Sequence, residues 1–489
     1  MASKTAPLTR HVVSINDLAN SEIEAIFHIA QRYLDELGDP NLEYRIAQST
    51  DVGAKFILAT LFYEPSTRTR LSFESAMIRL GGQVITSDDP AASSAKKGES
   101  LADTIRVISN YADVIVIRHP RDGAARLAAE YSPIPVINGG DGAHEHPTQT
   151  LCDLFTLTKK GKRNEVHKKP RRLEGMKVAI SGDLKGSRTI HSFVYALARF
   201  GAIIEPMPAA GMELPAHVDR RLREEFQSKI IAKSARSGDD PIDVLYVTSD
   251  KPHQQSLFSG NEVVDHGVAI QKKVDAVYVT RFQKERYSED KKSPYMKVDA
   301  KFMKDAKYAD ASVMHPLPRV DELGVDLDGD RRAVYFQQAA YGVPIRMALI
   351  TMLLNLKNKS LQKFADGFAK PSYPVYRQPI DRGVRCINNN CISHEPSEQQ
   401  YVANKFFVVP DSQSHGFRLR CLYCEADIEE SATREFVVAD TAKRTYTRGL
   451  EALPHASSER LKHLLVCPSE ADAQQHGFKP HLGRIAKAS

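Results

Sequence analysis

One recurring pattern constrains this chain more than any other. Up to about residue 350, short apolar runs end in polar loops rich in Arg, Ser, Thr, His or Gly, and the loops pass into amphipathic helices. The runs AKFILATLF (54–62), DVIVIRH (113–119) and PVINGG (135–140) read as buried parallel strands. LSFESAMIRLGG (71–82), LADTIRVISNYA (101–112) and AARLAAEYS (124–132) read as helices, and 16–37 as an earlier helix capped by Asn16. The alternation resumes with MKVAISG (176–182), DVLYVTSD (243–250), VDAVYVTR (274–281) and SVMHPLPR (312–319), and AYGVPIRMALITMLLNL (340–356) predicts one long apolar helix. Such alternation predicts an α/β protein with two parallel-sheet domains, 1–150 and 151–330. After them come a C-terminal helix (331–358), expected to pack back on the first domain though its apolar run would suit the core of either half, a proline-broken linker (359–385), a small β-rich domain (386–430) that holds four of the six cysteines, and a tail of no assigned role (431–489).

At 489 residues, with 42% hydrophobic and 26% charged residues, the chain suits several globular domains. No run of about eighteen apolar residues predicts a membrane span, and MASKTAPLTR lacks the apolar core of a secretory signal, so a cytoplasmic location is expected. The net charge of +6 suits small anionic substrates as well as nucleic acid.

In open parallel sheets, ligands bind at the carboxyl ends of strands, where this sequence places its unusual polar clusters. STRTR, between a strand and a helix, offers the hydroxyls of Ser66, Thr67 and Thr69 with Arg68, at a helix start that suits a phosphate. Arg118 ends the next strand. GDGAHEHPTQT brings His146 and Gln149 one turn apart at a Pro-started helix; GDLKGSR supplies Arg188, TRFQKER supplies Arg281 and Gln283, and HPLPR supplies the carbonyls of Pro316 and Leu317. No G-x-S-x-G, Walker loop or H-E-x-x-H is present. A site of cationic donors suits group transfer between two anions, by positioning and charge stabilisation.

Seven motifs in order, FYEPSTRTRLSFESA, KKGESLADT, RHP, HPTQTLCDLF, GDLKGSRTIHS, TRFQKER and HPLPRVDE, resemble aspartate carbamoyltransferase catalytic chains over residues 8–358. The resemblance implies transfer of the carbamoyl group of carbamoyl phosphate to L-aspartate in de novo pyrimidine biosynthesis, with no organic cofactor. It implies a phosphate grip by Ser66, Thr67, Arg68 and Thr69, and polarisation of the carbamoyl oxygen by Arg118, His146 and Thr69. The carbamoyl amine falls to Gln149, Pro316 and Leu317, and aspartate to Arg188, Arg281 and Gln283. Lys97, with Ser93 or Ser94, would come from a neighbouring subunit of a homotrimer or a multiple of trimers. An ornithine-type transferase is the nearest alternative, but two arginines and Gln283 suit a dicarboxylate better.

Five of the six cysteines lie in the last quarter. Cys386-x4-Cys391 and Cys421-x2-Cys424 have the paired spacing of a closed, tetrahedral structural zinc site. The text around them resembles the zinc domain of aspartate carbamoyltransferase regulatory chains, here fused behind the catalytic region. Cys152 and Cys467 read as core or incidental. A zinc-ribbon nucleic-acid module is the alternative of another class; membrane partners are not expected. The stretch 359–385 is too short to hold the nucleotide-binding domain that precedes the zinc domain in those regulatory chains.

Overall fold

A computed structural model describes residues 10–37, 56–87, 98–160, 173–209, 211–226, 228–230, 242–248, 258–259, 262–265, 268–269, 273–281, 297–354, 375–378, 385–402, 404–410, 417–428, 437–440, 442–448, 464–467 and 469–480. The chain divides into two compact units. The first draws on residues 1–93, 106–120 and 132–368, the second on 94–105, 121–131 and 369–489.

In the first unit, β1 (Ile57–Phe62), β2 (Gln83–Ser87), β3 (Val114–His119) and β4 (Val136–Asp141) form a parallel sheet in the order β2-β1-β3-β4. A second parallel sheet runs β13-β12-β8-β5-β6-β7, from Ser312–Met314, Ala276–Val279, Val244–Val247, Lys177–Gly182, Ile203–Pro208 and Lys229–Ile230. A small antiparallel ribbon is formed by β9 (Phe258–Ser259), β10 (Glu262–Asp265) and β11 (Val268–Ala269). Each parallel sheet reverses its direction of winding once, between β1 and β3 and between β5 and β8. The loops after those strands therefore splay apart and leave a crevice. One continuous apolar core, containing Leu58, Val116, Val178 and Tyr246, runs through both sheets.

The helices are α1 (Asn20–Leu37), α2 (Thr67–Arg79), α3 (Leu101–Ile108), α4 (Ala124–Tyr131), α5 (Pro147–Lys160), α6 (Arg188–Arg199), α7 (Ala216–Glu224), α8 (Tyr335–Ala340) and α9 (Gly342–Leu353). Three sequence expectations need correction. Asn16 does not cap the first helix: Ser14 and Asp17 form a capping box around a short 3-10 turn, and α1 starts at Asn20, where Glu22 accepts the Ala19 N–H at 2.8 Å. The helix expected over 101–112 stops at Ile108, and Asn110 donates its side-chain N–H to the Arg106 carbonyl at 2.8 Å. The helix expected over 340–356 is shorter at both ends: it runs as α9, Gly342–Leu353, with Pro344 in its first turn, and α8 ends just before it at Ala340. Helix α9 packs against α1 and α2.

In the second unit, β14 (Val375–Gln378), β15 (Asn404–Pro410) and β16 (Phe417–Cys421) form an antiparallel sheet. The first of these strands lies inside the stretch expected as linker. The tail, in which no motif was legible, forms a further sheet in the order β19-β17-β18-β20 (Leu464–Cys467, Val437–Asp440, Thr445–Arg448, Lys479–Pro480), with helix α10 (Glu470–Gln475). Val437, Ala439, Tyr446, Ala473 and Cys467 make its small core. Among the described residues, no helix is long and apolar enough to cross a membrane.

Candidate active site and metal centre

The carboxyl ends of β1, β3, β4, β5, β12 and β13 open on a cavity of about 320 Å³ in the first unit. Ser66, Thr67, Arg68, Thr69, Arg118, His146, Gln149, Arg188, Arg281, Pro316 and Leu317 all line it. Of the residues expected from the sequence, Ser93, Ser94, Lys97 and Gln283 lie outside the described residues.

Helices α2, α5 and α6 start at this cavity. Ser66 sits before α2 in an extended conformation (φ −155°, ψ 90°), and its hydroxyl makes no capping bond. The simplest local role for a Ser at this position, closing the helix end, is therefore not taken up. Its Oγ and the first N–H groups of α2 remain for a ligand, at the positive end of the helix dipole. Pro147 starts α5 directly after His146, and Ser187 precedes α6, again without a capping bond. Arg68 has no ion-pair partner among the described residues. Partial burial and then the like charge of Arg281 lower its pKa. Two guanidinium groups that repel across an open space are stabilised by an anion between them.

Gly140 packs closely against three of the side chains that line the cavity. A Cβ there would lie 3.3 Å from Arg188 Cζ, 3.4 Å from Arg118 Nη1 and 3.4 Å from His146 Cδ2, and the residue's φ of +117° favours glycine. Glu64, which the sequence reading passed over although it adjoins the STRTR loop, pairs with Arg118 at 3.3 Å and with Arg188 at 3.2 Å. Arg188 also donates to the Gly142 carbonyl at 2.9 Å. Both arginines are thereby aimed before any ligand arrives.

His146 is buried, and its Nδ1 has no partner among the described residues. Burial, then the charges of Arg188, Arg118 and Arg346, push its pKa well below the usual imidazole value, so the ring is neutral near pH 7. Its backbone N–H is fixed by Ser192 Oγ at 3.0 Å, which in turn donates to Glu145 at 2.9 Å. At β13, the Leu317 N–H donates to His315 Nδ1 at 2.7 Å. The proton of that ring therefore sits on Nε2, which faces Glu322 at 2.8 Å. Leu317 takes a left-handed backbone (φ 53°), uncommon for a branched residue and held here by that bond. Arg346, Gln338 and Ser72 also line the cavity and were not singled out from sequence. They lie on helix faces whose apolar neighbours hide them. Cys152 is buried, and its pKa is pushed up to about 11, chiefly by burial; with Cys467 also buried, both are core thiols, as expected.

In the second unit, Cys386, Cys391, Cys421 and Cys424 bring four buried sulfurs within 4.8 Å of one another. The Cys386–Cys424 and Cys391–Cys421 sulfur separations are 3.4 and 3.8 Å. These are too long for disulfides and close to the edge of a tetrahedron with Zn–S bonds of about 2.3 Å. With four thiolates and no open position, the donor set fits structural zinc. Around it, Asp122 accepts from Asn388 Nδ2 at 2.7 Å and from Asn390 Nδ2 at 2.9 Å, and Arg121 pairs with Glu395 at 2.8 Å. A Cβ on Gly123 would lie 2.5 Å from the Tyr423 backbone, so the metal knuckle and the start of α4 are in direct contact.

Comparison with known proteins places both regions in one family. Residues 10–159 match the family described as aspartate/ornithine carbamoyltransferase, carbamoyl-P binding domain, and 260–353 match its Asp/Orn binding domain. Residues 378–434 match the aspartate carbamoyltransferase regulatory chain, metal binding domain. The aspartate carbamoyltransferase catalytic subunit of Methanocaldococcus jannaschii is 41% identical over 348 residues, covering 71% of this chain and 98% of that protein. The solved catalytic subunit from that organism aligns with a TM-score of 0.51 at 39% identity, over 71% of this chain and 98% of the other. The Trypanosoma cruzi enzyme, solved in complex with carbamoyl phosphate, aligns with a TM-score of 0.53 at 32% identity, over 70% of this chain and 96% of the other.

Proposed function

This chain belongs to the aspartate carbamoyltransferase family, and we propose that its cavity binds carbamoyl phosphate and L-aspartate and forms N-carbamoyl-L-aspartate and phosphate. Ser66, Thr67, Arg68 and Thr69 grip the phosphate, and Arg68 stabilises it as it leaves. Arg118 and the neutral His146 donate to the carbamoyl oxygen, with Thr69 assisting. Gln149 and the carbonyls of Pro316 and Leu317 accept from the carbamoyl amine. Arg188, Arg281 and Gln283 bind the two carboxylates of aspartate. The deprotonated amine attacks the carbamoyl carbon, and a tetrahedral intermediate collapses with loss of phosphate. Catalysis is positioning plus charge stabilisation. Lys97, with Ser93 or Ser94, reaches the site from a neighbouring chain of a homotrimer. The zinc contributes folding energy to the C-terminal module and takes no part in the chemistry. The match to a regulatory-chain metal domain favours this role over a nucleic-acid ribbon.

The observation that carries the reading is an anion site with its donors unspent: Arg68 has no described ion-pair partner, and Ser66 Oγ is not used as a cap. N-(phosphonacetyl)-L-aspartate, the compound in a solved T. cruzi complex, spans both halves of such a site. It is expected to raise the melting temperature of the purified chain, and Arg68→Ala is expected to remove the shift. Equal stabilisation of chain and variant would place the compound elsewhere.

A further inference from the structure

Beneath the cavity lies a buried carboxyl that this scheme does not use. Asp153, on α5 one turn beyond Gln149, is almost fully buried. It receives three hydrogen bonds: from Gln149 Nε2 at 2.8 Å, Gln338 Nε2 at 2.7 Å and the Tyr278 hydroxyl at 2.9 Å. The first two bonds fix which way each amide faces. A carboxylate cannot donate, so both glutamines must present nitrogen to Asp153 and keep their oxygens for other partners. Gln338 Oε1 accepts the backbone N–H of His315 at 2.9 Å. His315 in turn holds the Leu317 N–H. Gln149 Oε1 has no donor among the described residues, and Gln149 lines the cavity.

We propose that Asp153 is the positioning residue for the carbamoyl amine. It turns Gln149 so that the amide oxygen meets the ligand and, through Gln338 and His315, sets the loop that carries the Pro316 and Leu317 carbonyls. A single buried carboxyl thus aligns acceptors from two different elements on one NH₂ group. Without it, Gln149 would be free to flip and offer N–H to N–H, a repulsive pairing. The inference rests on the proposed reading of the cavity as a carbamoyl phosphate site. Burial raises the Asp153 pKa to about 7, yet the neutral acid still offers a carbonyl oxygen to both amides, so orientation survives protonation.

The test separates the amine from the phosphate. In the full chain, Asp153→Ala is expected to raise KM for carbamoyl phosphate by about tenfold or more, the equivalent of one well-made hydrogen bond and its orientation. Competitive inhibition by inorganic phosphate, which needs only the cradle, is expected to stay within about twofold. Asp153→Asn keeps an acceptor for both amides and can donate to Tyr278, and is expected to restore most of the loss. In a Gln149→Ala, Gln338→Ala background, Asp153→Ala is expected to add little, because Asp153 acts through those two amides. Phosphate inhibition weakening in step with KM, or fully additive losses, would overturn the proposal. If Asp153→Ala fails to melt cooperatively, Gln338→Ala carries the same comparison. A lack of carbamoyl transfer by the unsubstituted chain would instead overturn the reading of the cavity itself.

Discussion

The cavity of the first unit and the cysteine cluster of the second are both dense sets of polar side chains, but they are finished to different degrees. In the cluster, four sulfurs converge at tetrahedral spacing and leave no position open. In the cavity, donors are aimed but unspent: among the described residues His146 Nδ1 has no partner, Ser66 forms no cap, and Arg68 has no ion pair. A closed set contributes to folding, whereas an open one pays a cost in the empty protein and recovers it when a ligand supplies the missing charge. The contrast separates scaffold from chemistry within one chain.

The sharpest way to break the contrast is to remove a donor from the open set. Arg68→Ala is expected to lower turnover by roughly 10²-fold or more, the usual loss for one electrostatic donor, with zinc content and melting unchanged. Near-normal turnover would mean that Arg68 is a solvated surface cation.

Removing a ligand from the closed set should have the converse result. Cys421→Ala is expected to abolish stoichiometric zinc, measured by atomic emission on the purified chain, and to remove the module's melting transition. Retention of one tightly held zinc per chain would show that the four sulfurs do not form the site.

A pairing between neighbouring chains is the next test. Inactive Lys97→Ala and inactive Arg68→Ala chains, mixed and allowed to exchange, are expected to regain part of the activity, because some shared sites then hold both intact residues. No recovery after confirmed exchange would mean that each site is built from one chain.

The smallest effect concerns protons. His146 faces Arg118, Arg188 and Arg346, and is buried. Its pKa is depressed in the folded state, so below an unfolded value of about 6.5 the unfolded chain binds a proton that the native ring refuses. The contribution of this group to stability is present above that pH and is lost as pH falls below it. NMR of ring-labelled histidine is expected to show His146 titrating well below the ordinary imidazole midpoint. A midpoint near 6.5 would place the ring in water.

Much of the site was legible because parallel sheets gather strand ends, so an Arg after one apolar run and a His after another could be expected to meet. Gly140 and the uncapped Ser66 show how tightly that gathering is built. The sequence was silent where contacts are long-range and the residue type is ordinary. Glu64 looks like a turn residue until Arg118 arrives from β3 and Arg188 from the start of α6. Asp153 looks like a polar position on a helix until Gln338, 185 residues away, donates to it. The tail sheet escaped because its strands are short and separated by polar stretches. The apolar run over 340–356 was legible as the helix α9, in whose first turn Pro344 is tolerated; the short α8 before it was not.

The most direct test of the account is the identity of the acceptor. Purified full-length chain is supplied with labelled carbamoyl phosphate and either L-aspartate or L-ornithine, and the carbamoylated product and released phosphate are counted together. The account predicts stoichiometric N-carbamoyl-L-aspartate and phosphate with aspartate, and background with ornithine. Preferential formation of citrulline, or phosphate release without carbamoyl transfer, would contradict it.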